Sequence, residues 1–196
     1  SLALDLMKAA EHQDPLHPAF KSNMAMLYIW IGRPEAAIAK AREALELIPD
    51  HGFALMALVE GYTAAGNCAE ALSFYSALPA NLQREPRVMG RAGVCHAIQG
   101  DEESAREIYR EIREITPEGY AIMQAALLSW HLGEIEETLD ILENEVENQS
   151  WTVLFMRTYF KDKEGINEHP RYLELMRRVG LDEASIANLQ LQTPAQ

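Results

Sequence analysis

Along much of the chain, apolar residues recur three and four positions apart, with polar residues between them. That spacing lines the apolar side chains along one face of a helix, so each stretch predicts an amphipathic α-helix. Residues 53–65 and 87–99 are two such stretches. A glycine follows each one at a constant interval. Gly32, Gly66 and Gly100 lie 34 residues apart, and Gly133 follows 33 later. Ala37, Ala71 and Ala105 keep the same interval of 34, as do Tyr28, Tyr62 and His96. Pro49 and Pro117 are 68 apart, two periods. Four interleaved series in one register define an internal repeat, and an internal repeat decides the architecture before any single residue does.

The physics of one repeat is local. The glycine supplies a left-handed backbone at the end of the first helix without a Cβ clash. Start signals for a second helix follow at once. Pro34 suits a first helical turn. Asn67 with Glu70 reads as a variant of the capping box. Asp101, followed by Glu102 and Glu103, places anionic groups at a helix N-terminus. The second helix runs to Pro49 or Pro117, where the chain must break. In the second repeat Pro79 should end the helix early, leaving Ala80–Glu85 as a bent connection. Each repeat is therefore expected to be a helix, a tight turn and an antiparallel helix. The small residues Ala25, Ala37, Gly93 and Ala105 let the paired helices approach, and Tyr28, Tyr62, Tyr75 and Tyr109 fill the space between neighbouring pairs.

This pattern resembles the tetratricopeptide repeat family. The third repeat carries the signature best, with Ala92-Gly93, His96, Gly100, Ala105, Tyr109 and Pro117. The first shows Tyr28, Gly32, Ala37, Ala44 and Pro49, and the second Leu58, Tyr62, Gly66, Ala71 and Tyr75. The fourth departs furthest: Gly133 remains, but Ser129, Thr138 and Ser150 replace the tyrosine, alanine and proline. The resemblance implies an all-α, right-handed superhelical solenoid of helix-turn-helix repeats. Residues 1–17 would be the end of a preceding repeat, its second helix. Four repeats would span 18–51, 52–85, 86–118 and 119–150, and residues 151–196 would form C-terminal capping helices and a frayed tail.

Past residue 150 the period is lost. Trp151–Phe160 reads as an apolar-rich helix with Trp151, Leu154, Phe155 and Tyr159 on one side. Asp162–Glu168 is a polar connection, Arg171–Val179 a further helix stopped by Gly180, and Asp182 caps a last helix to about Leu191. A solenoid needs such a closing element with one polar face. The run His169-Pro170-Arg171-Tyr172 leading to Gly180-Leu181 also resembles the segment that follows such repeats in bacterial multidomain regulators.

Composition narrows the function. Of 196 residues, 48% are apolar and 24% charged, which excludes wholesale disorder. Thirty acidic against 17 basic side chains give a net charge of −13. That balance argues against nucleic acid and anionic membranes as partners, since both select clustered Lys and Arg. No apolar run is long enough for a membrane span. Cys68 and Cys95 are too few for a disulfide scaffold, and read as reduced, partly buried thiols in the cytoplasm. Ser1 opens the chain in place of Met, and residues 1–14 read as the end of a helix, so a segment of a longer protein is expected.

Chemistry of the catalytic kind finds no constellation. There is no Gly-rich phosphate loop, no HExxH and no paired Cys-x-x-Cys. The carboxylates of residues 101–114 and 134–147, including Glu145, recur at helical spacing and read as solvated outer faces. Neither an enzyme, a metal site nor a cofactor is expected. What remains is a binding surface. In the family that the chain resembles, the first helices of successive repeats line a concave groove. Carried over, the groove candidates are Asn23, Met26, Trp30, Phe53, Met56, Arg87, Arg91, Tyr120, Met123 and Trp130. Arg87 and Arg91 lie four apart on one helix face and match a basic pair that some members use to grip a peptide's terminal carboxylate. Ser22, Met26 and Ala57 stand where the rest of that clamp would be, so a chaperone-tail clamp is not expected. The methionines and aromatics suit an amphipathic helix or an extended peptide. The expected function is a non-catalytic protein-interaction module, peptide-binding or scaffold, in the C-terminal regulatory part of a larger bacterial signalling or transcriptional protein. Small-molecule sensing or homo-oligomerisation is the alternative.

Overall fold

A computed structural model describes residues 2–115 and 120–192. Among these every regular element is helical. In chain order they are α1 (Leu2–Gln13), α2 (Pro18–Trp30), α3 (Pro34–Leu47), α4 (Gly52–Ala64), α5 (Cys68–Ala77), α6 (Ala80–Gln83), α7 (Pro86–Ile98), α8 (Glu102–Ile115), α9 (Tyr120–His131) and α10 (Ile135–Glu147). A 3-10 turn (Trp151–Phe155), α11 (Met156–Phe160), α12 (Pro170–Arg178) and α13 (Glu183–Gln192) follow. The chain divides into two compact bodies, 1–105 and 106–196, with the division inside α8. The break expected at Pro117 and the tail 193–196 lie outside the described residues.

The turns within the helix pairs are chemically identical. Gly32, Gly66, Gly100 and Gly133 have φ of +72, +77, +81 and +80°. At each, the glycine amide bonds to the carbonyl three residues back, and the next amide to the carbonyl five back. The latter bonds are Arg33 to Tyr28 (2.8 Å), Asn67 to Tyr62 (2.9 Å), Asp101 to His96 (3.0 Å) and Glu134 to Ser129 (2.9 Å). This is the Schellman closure, which satisfies carbonyls that a helix end otherwise leaves open. Pro18, Pro34 and Pro86 occupy first turns. The Asp101 carboxylate accepts from the Ser104 amide at 3.2 Å, and Asp182 caps α13 through Ala184 and Ser185 at 3.1 Å each.

Three local expectations change. Asn67 makes no side-chain capping bond, and its backbone amide, which Glu70 would engage in a capping box, is bonded to the Tyr62 carbonyl instead. The stretch Trp151–Phe160 is a 3-10 turn followed by one short helix rather than a single α-helix, although Trp151 meets Phe155 edge-to-face at 5.7 Å and Phe155 stacks on Tyr159 at 6.2 Å. Glu145 is buried instead of solvated. The turn after α10 folds back over it and the Thr152 hydroxyl donates to its carboxylate.

In the N-terminal body the first helices of successive pairs stack, α2 on α4 and α4 on α7, while α3 fills the angle between α2 and α4. The core comprises Ala25, Met26, Ala41, Ala57, Leu58, Tyr62, Ala71 and the two free thiols, Cys68 and Cys95. Alanines rather than leucines sit at the helix crossings, so backbones come close. At Gly61 a Cβ would stand 2.9 Å from Ile38 Cγ1, and no larger residue fits without a shift. Val59, Leu78 and Val88 build a second cluster around the α5–α7 connection, where Pro79 does end α5 early. In the C-terminal body α10 packs against α9 and α12. Arg171 pins α12 to α10 through Glu136, Asp140 and Glu143 at 3.0, 2.7 and 2.6 Å.

Candidate functional site

The stripe of α1 that matters is Ala3, Leu6, Met7 and Ala10, spaced three and four apart on one face. Opposite it stands the stripe of α2, with Phe20, Asn23, Leu27 and Trp30, while Met26 of α2 and Phe53 of α4 close one side. Between them opens an almost wholly apolar cleft of about 590 Å³. Its volume lies within the range of small-molecule and peptide pockets. Trp30 is 43% exposed and Leu6 61% exposed, so two large apolar side chains of the cleft face water.

Four sequence-predicted residues, Asn23, Met26, Trp30 and Phe53, therefore meet in one cleft. Arg87 joins their edge: its guanidinium lies 5.8 Å from the Phe53 ring centroid and its Nη2 is 3.3 Å from Met26 Sδ. Met56 packs into the Val59–Leu78–Val88 cluster instead. In the C-terminal body Met123 is fully buried. Trp130 is capped by its own chain: Nε1 donates to the Glu164 carbonyl at 3.0 Å and Lys163 Nζ sits 4.7 Å above the ring. The side chain of Tyr120 lies outside the described residues.

The electrostatics of the cleft edge depend on a residue whose role the sequence pattern hid. Glu60, on α4 and 1% exposed, is paired with both Arg87 and Arg91, the latter at 3.7 Å. A buried carboxylate is tolerable only with such partners. Both arginines are thus engaged by an internal anion, and Arg91 is itself buried. The only available signal was Glu60 in the middle of an otherwise apolar helix.

On the other side, α1 is fastened by charge. Lys21 and Lys40 both bond Glu11 and Glu43, at 2.8 to 3.0 Å. Burial works against the Glu11 charge, but the hydrogen bonds from Lys40 and Lys21 outweigh it and hold the carboxyl below its ordinary range. Glu43 behaves likewise, and both lysines are raised. The C-terminal body has a polar hollow of about 410 Å³ among Arg113, Ile122, Glu137, Asp140, Ile141 and Asn144, and it contains none of the predicted site residues. Among the described residues no helix is long and apolar enough to cross a membrane.

The chain matches no family model and no curated protein. It does match solved structures. A tetratricopeptide repeat protein from Parabacteroides merdae ATCC 43184 is 17% identical with a TM-score of 0.51, over 96% of this chain and 70% of that one. A human IFIT1 dimer with m7Gppp-AAAA is 16% identical with a TM-score of 0.56, over 96% of this chain and 45% of that one. Identity this low carries the fold alone. The fold is the all-α helical repeat of the tetratricopeptide type, as the 34-residue register implied.

Proposed function

We propose that the chain is a non-catalytic protein-interaction module that receives an apolar polypeptide segment in the cleft of its N-terminal body. On this reading it is the regulatory part of a larger bacterial signalling or transcriptional protein and works in the cytoplasm. One observation carries the binding reading: the open apolar cleft that gathers Asn23, Met26, Trp30 and Phe53 beside the exposed Leu6. Methionine and aromatic side chains adapt to apolar partners at small cost. A net charge of −13 favours a neutral or basic partner. IFIT1 was solved with m7Gppp-AAAA. Here the excess of carboxylates, and the engagement of Arg87 and Arg91 by Glu60, weigh against a phosphate-bearing ligand in the N-terminal body.

A displayed library of peptides of about 15 residues, selected on the whole chain, tests the reading. Burying one aromatic side chain is worth about 1.5–3 kcal/mol. Trp30→Ala and Phe53→Ala should therefore each weaken selected peptides tenfold or more. Selected peptides whose affinity ignores both changes would refute the cleft as the binding site.

A further inference from the structure

The two cysteines sit where the 34-residue register does not require sulfur. Cys68 lies two residues after Gly66 and Cys95 five residues before Gly100, so one opens the second helix of a pair and the other belongs to the first helix of the next. One period earlier the same positions hold Pro34 and Gly61. Helix α5 packs against α7, and the two thiols share one buried cluster with Ala57, Leu58, Tyr62 and Ala71. Both are free, with 5% and 0% exposure. They lie within hydrogen-bond reach of each other, and the Thr63 hydroxyl oxygen stands 3.5 Å from Cys95 Sγ. A lone buried cysteine is a small apolar filler. Two thiols in contact across two helices already meet the main demand of a disulfide, that the backbone bring both side chains together.

The pair is chemically unequal. Cys68 is the first residue of α5, a helix of 10 residues, and the open amides and dipole of a helix N-terminus favour an anion. Cys95 lies inside α7, where burial first, and then the hydrogen bond with Cys68, hold its proton on well beyond the usual thiol range. Cys68 is therefore the sulfur that meets an oxidant first, and Cys95 the one that resolves the product.

We propose that Cys68 and Cys95 form a reversible redox pair, oxidised by a peroxide to a disulfide that staples α5 to α7. Hydrogen peroxide is little larger than water, so it reaches a site closed to bulkier reagents. The Cys68 sulfur, as thiolate, attacks one peroxide oxygen. An S–O bond forms, the O–O bond breaks, and the departing hydroxide leaves as water with the proton that the thiol released. Cys95 then attacks the sulfur of the Cys68 sulfenic acid. The S–S bond forms, the S–O bond breaks, and the hydroxyl leaves as a second water with the Cys95 proton. Two thiols and one peroxide give one disulfide and two waters; each sulfur gives up one electron and the peroxide takes both. Exchange with a dithiol reverses the change. In a reducing compartment such a bond is transient, which suits a sensor of oxidant.

The bond joins positions 27 apart and closes a loop that contains α6 and the bent connection after Pro79. Cross-linking a loop of that length removes entropy from the denatured chain, so the oxidised form should melt about 5–10 °C higher. The experiment takes the whole chain, reduced and freed of reductant, and exposes it to hydrogen peroxide in native buffer. Expected are the loss of two hydrogens in the intact mass, a non-reduced digest that joins the peptides of Cys68 and Cys95, and a rise in melting temperature that dithiothreitol abolishes. Cys95→Ser should stop at the Cys68 sulfenic acid, captured by dimedone, and Cys68→Ser should leave Cys95 untouched at the same peroxide dose. Two free thiols after peroxide, a Cys68 sulfinic acid without linkage, a linkage between two copies, or one that forms only after urea has unfolded the chain would each overturn the redox pair. A linked chain that melts no higher overturns the fit of the bond to the native packing. Oxidation of Cys95 in Cys68→Ser overturns the assignment of Cys68 as the attacking sulfur.

Discussion

Gly61 offers a quantitative test of how closely α3 and α4 approach. Changing it to Ala has two opposed effects. In a helix interior Ala is favoured over Gly by about 1 kcal/mol. Against this, the new Cβ would lie 2.9 Å from Ile38 Cγ1, inside the closest ordinary carbon contact. That atom belongs to a β-branched side chain with few alternative rotamers, and the Ile38 amide follows at 3.7 Å, so neither neighbour yields easily. Overpacking of this kind costs about 1–3 kcal/mol. The steric term should win, leaving Gly61→Ala less stable by about 1 kcal/mol, which moves the melting temperature down by about 2–4 °C for a chain of this size. Ile38→Ala removes the obstructing atom. In that background only the propensity gain remains, so the same Gly61→Ala change should stabilise by about 1 kcal/mol. The coupling between the two sites is then about 2 kcal/mol, within the range for residues in contact. Urea titration of the four proteins, followed by circular dichroism, closes the cycle. Unaltered slopes would confirm that the denatured state is the same in all four. If Gly61→Ala stabilises the wild-type background, or if the two changes simply add, the helices are not packed as closely as described.

Four other outcomes are expected. Gln149 holds a left-handed φ of +52° at a turn closed like the glycine turns, so Gln149→Gly should stabilise by about 0.5–1 kcal/mol in urea titration, relief of strain exceeding the entropy cost. Gln124 is fully buried and its side-chain amide has no hydrogen-bond partner among the described residues, so Gln124→Leu should gain about 1–3 kcal/mol; a loss would reveal a partner. Glu11 and Glu43 are held low and Lys21 and Lys40 high, so the quartet stabilises fully between the ordinary carboxyl and lysine pKa values, 4.5 and 10.5. It fades as acid protonates the carboxylates below that window, so the difference in urea midpoint between wild type and Glu11→Gln should shrink steadily from pH 5 to pH 3. Burial, and secondarily the hydrogen bond with Cys68, push the Cys95 thiol up to about 12, so iodoacetamide at pH 8 should label Cys95 only after unfolding, as peptide mass mapping would register.

Most of the helices could be read from the chain because the forces that start and stop them act within a few residues. The glycine-closed turns at Gly32, Gly66, Gly100 and Gly133 need only a backbone tolerant of positive φ and two nearby carbonyls. Pro79 and Asp182 act where they stand. Where the reading failed, the deciding contact came from elsewhere. Glu145 belongs by spacing to a solvated face, but a turn that folds back over α10 removes it from water. Asn67 carries the right side chain for a cap but makes no such bond, and the amide that Glu70 would engage is taken by the Tyr62 carbonyl.

The candidate site divides the same way. That Asn23, Met26, Trp30 and Phe53 belong to first helices follows from a 34-residue period, a property of the chain taken alone. That they share a cleft with α1, that Met123 is sealed into a core, and that residues 163–164 cover Trp130 were decided by packing among distant segments. Arg87 and Arg91 make the contrast plainest. Their spacing puts them on one helix face, but whether they meet solvent or a carboxylate depends on Glu60, 27 and 31 residues earlier on another helix. Periodicity encodes which way a side chain points along its own helix; the charge or surface it meets depends on which helices the folded chain brings against it.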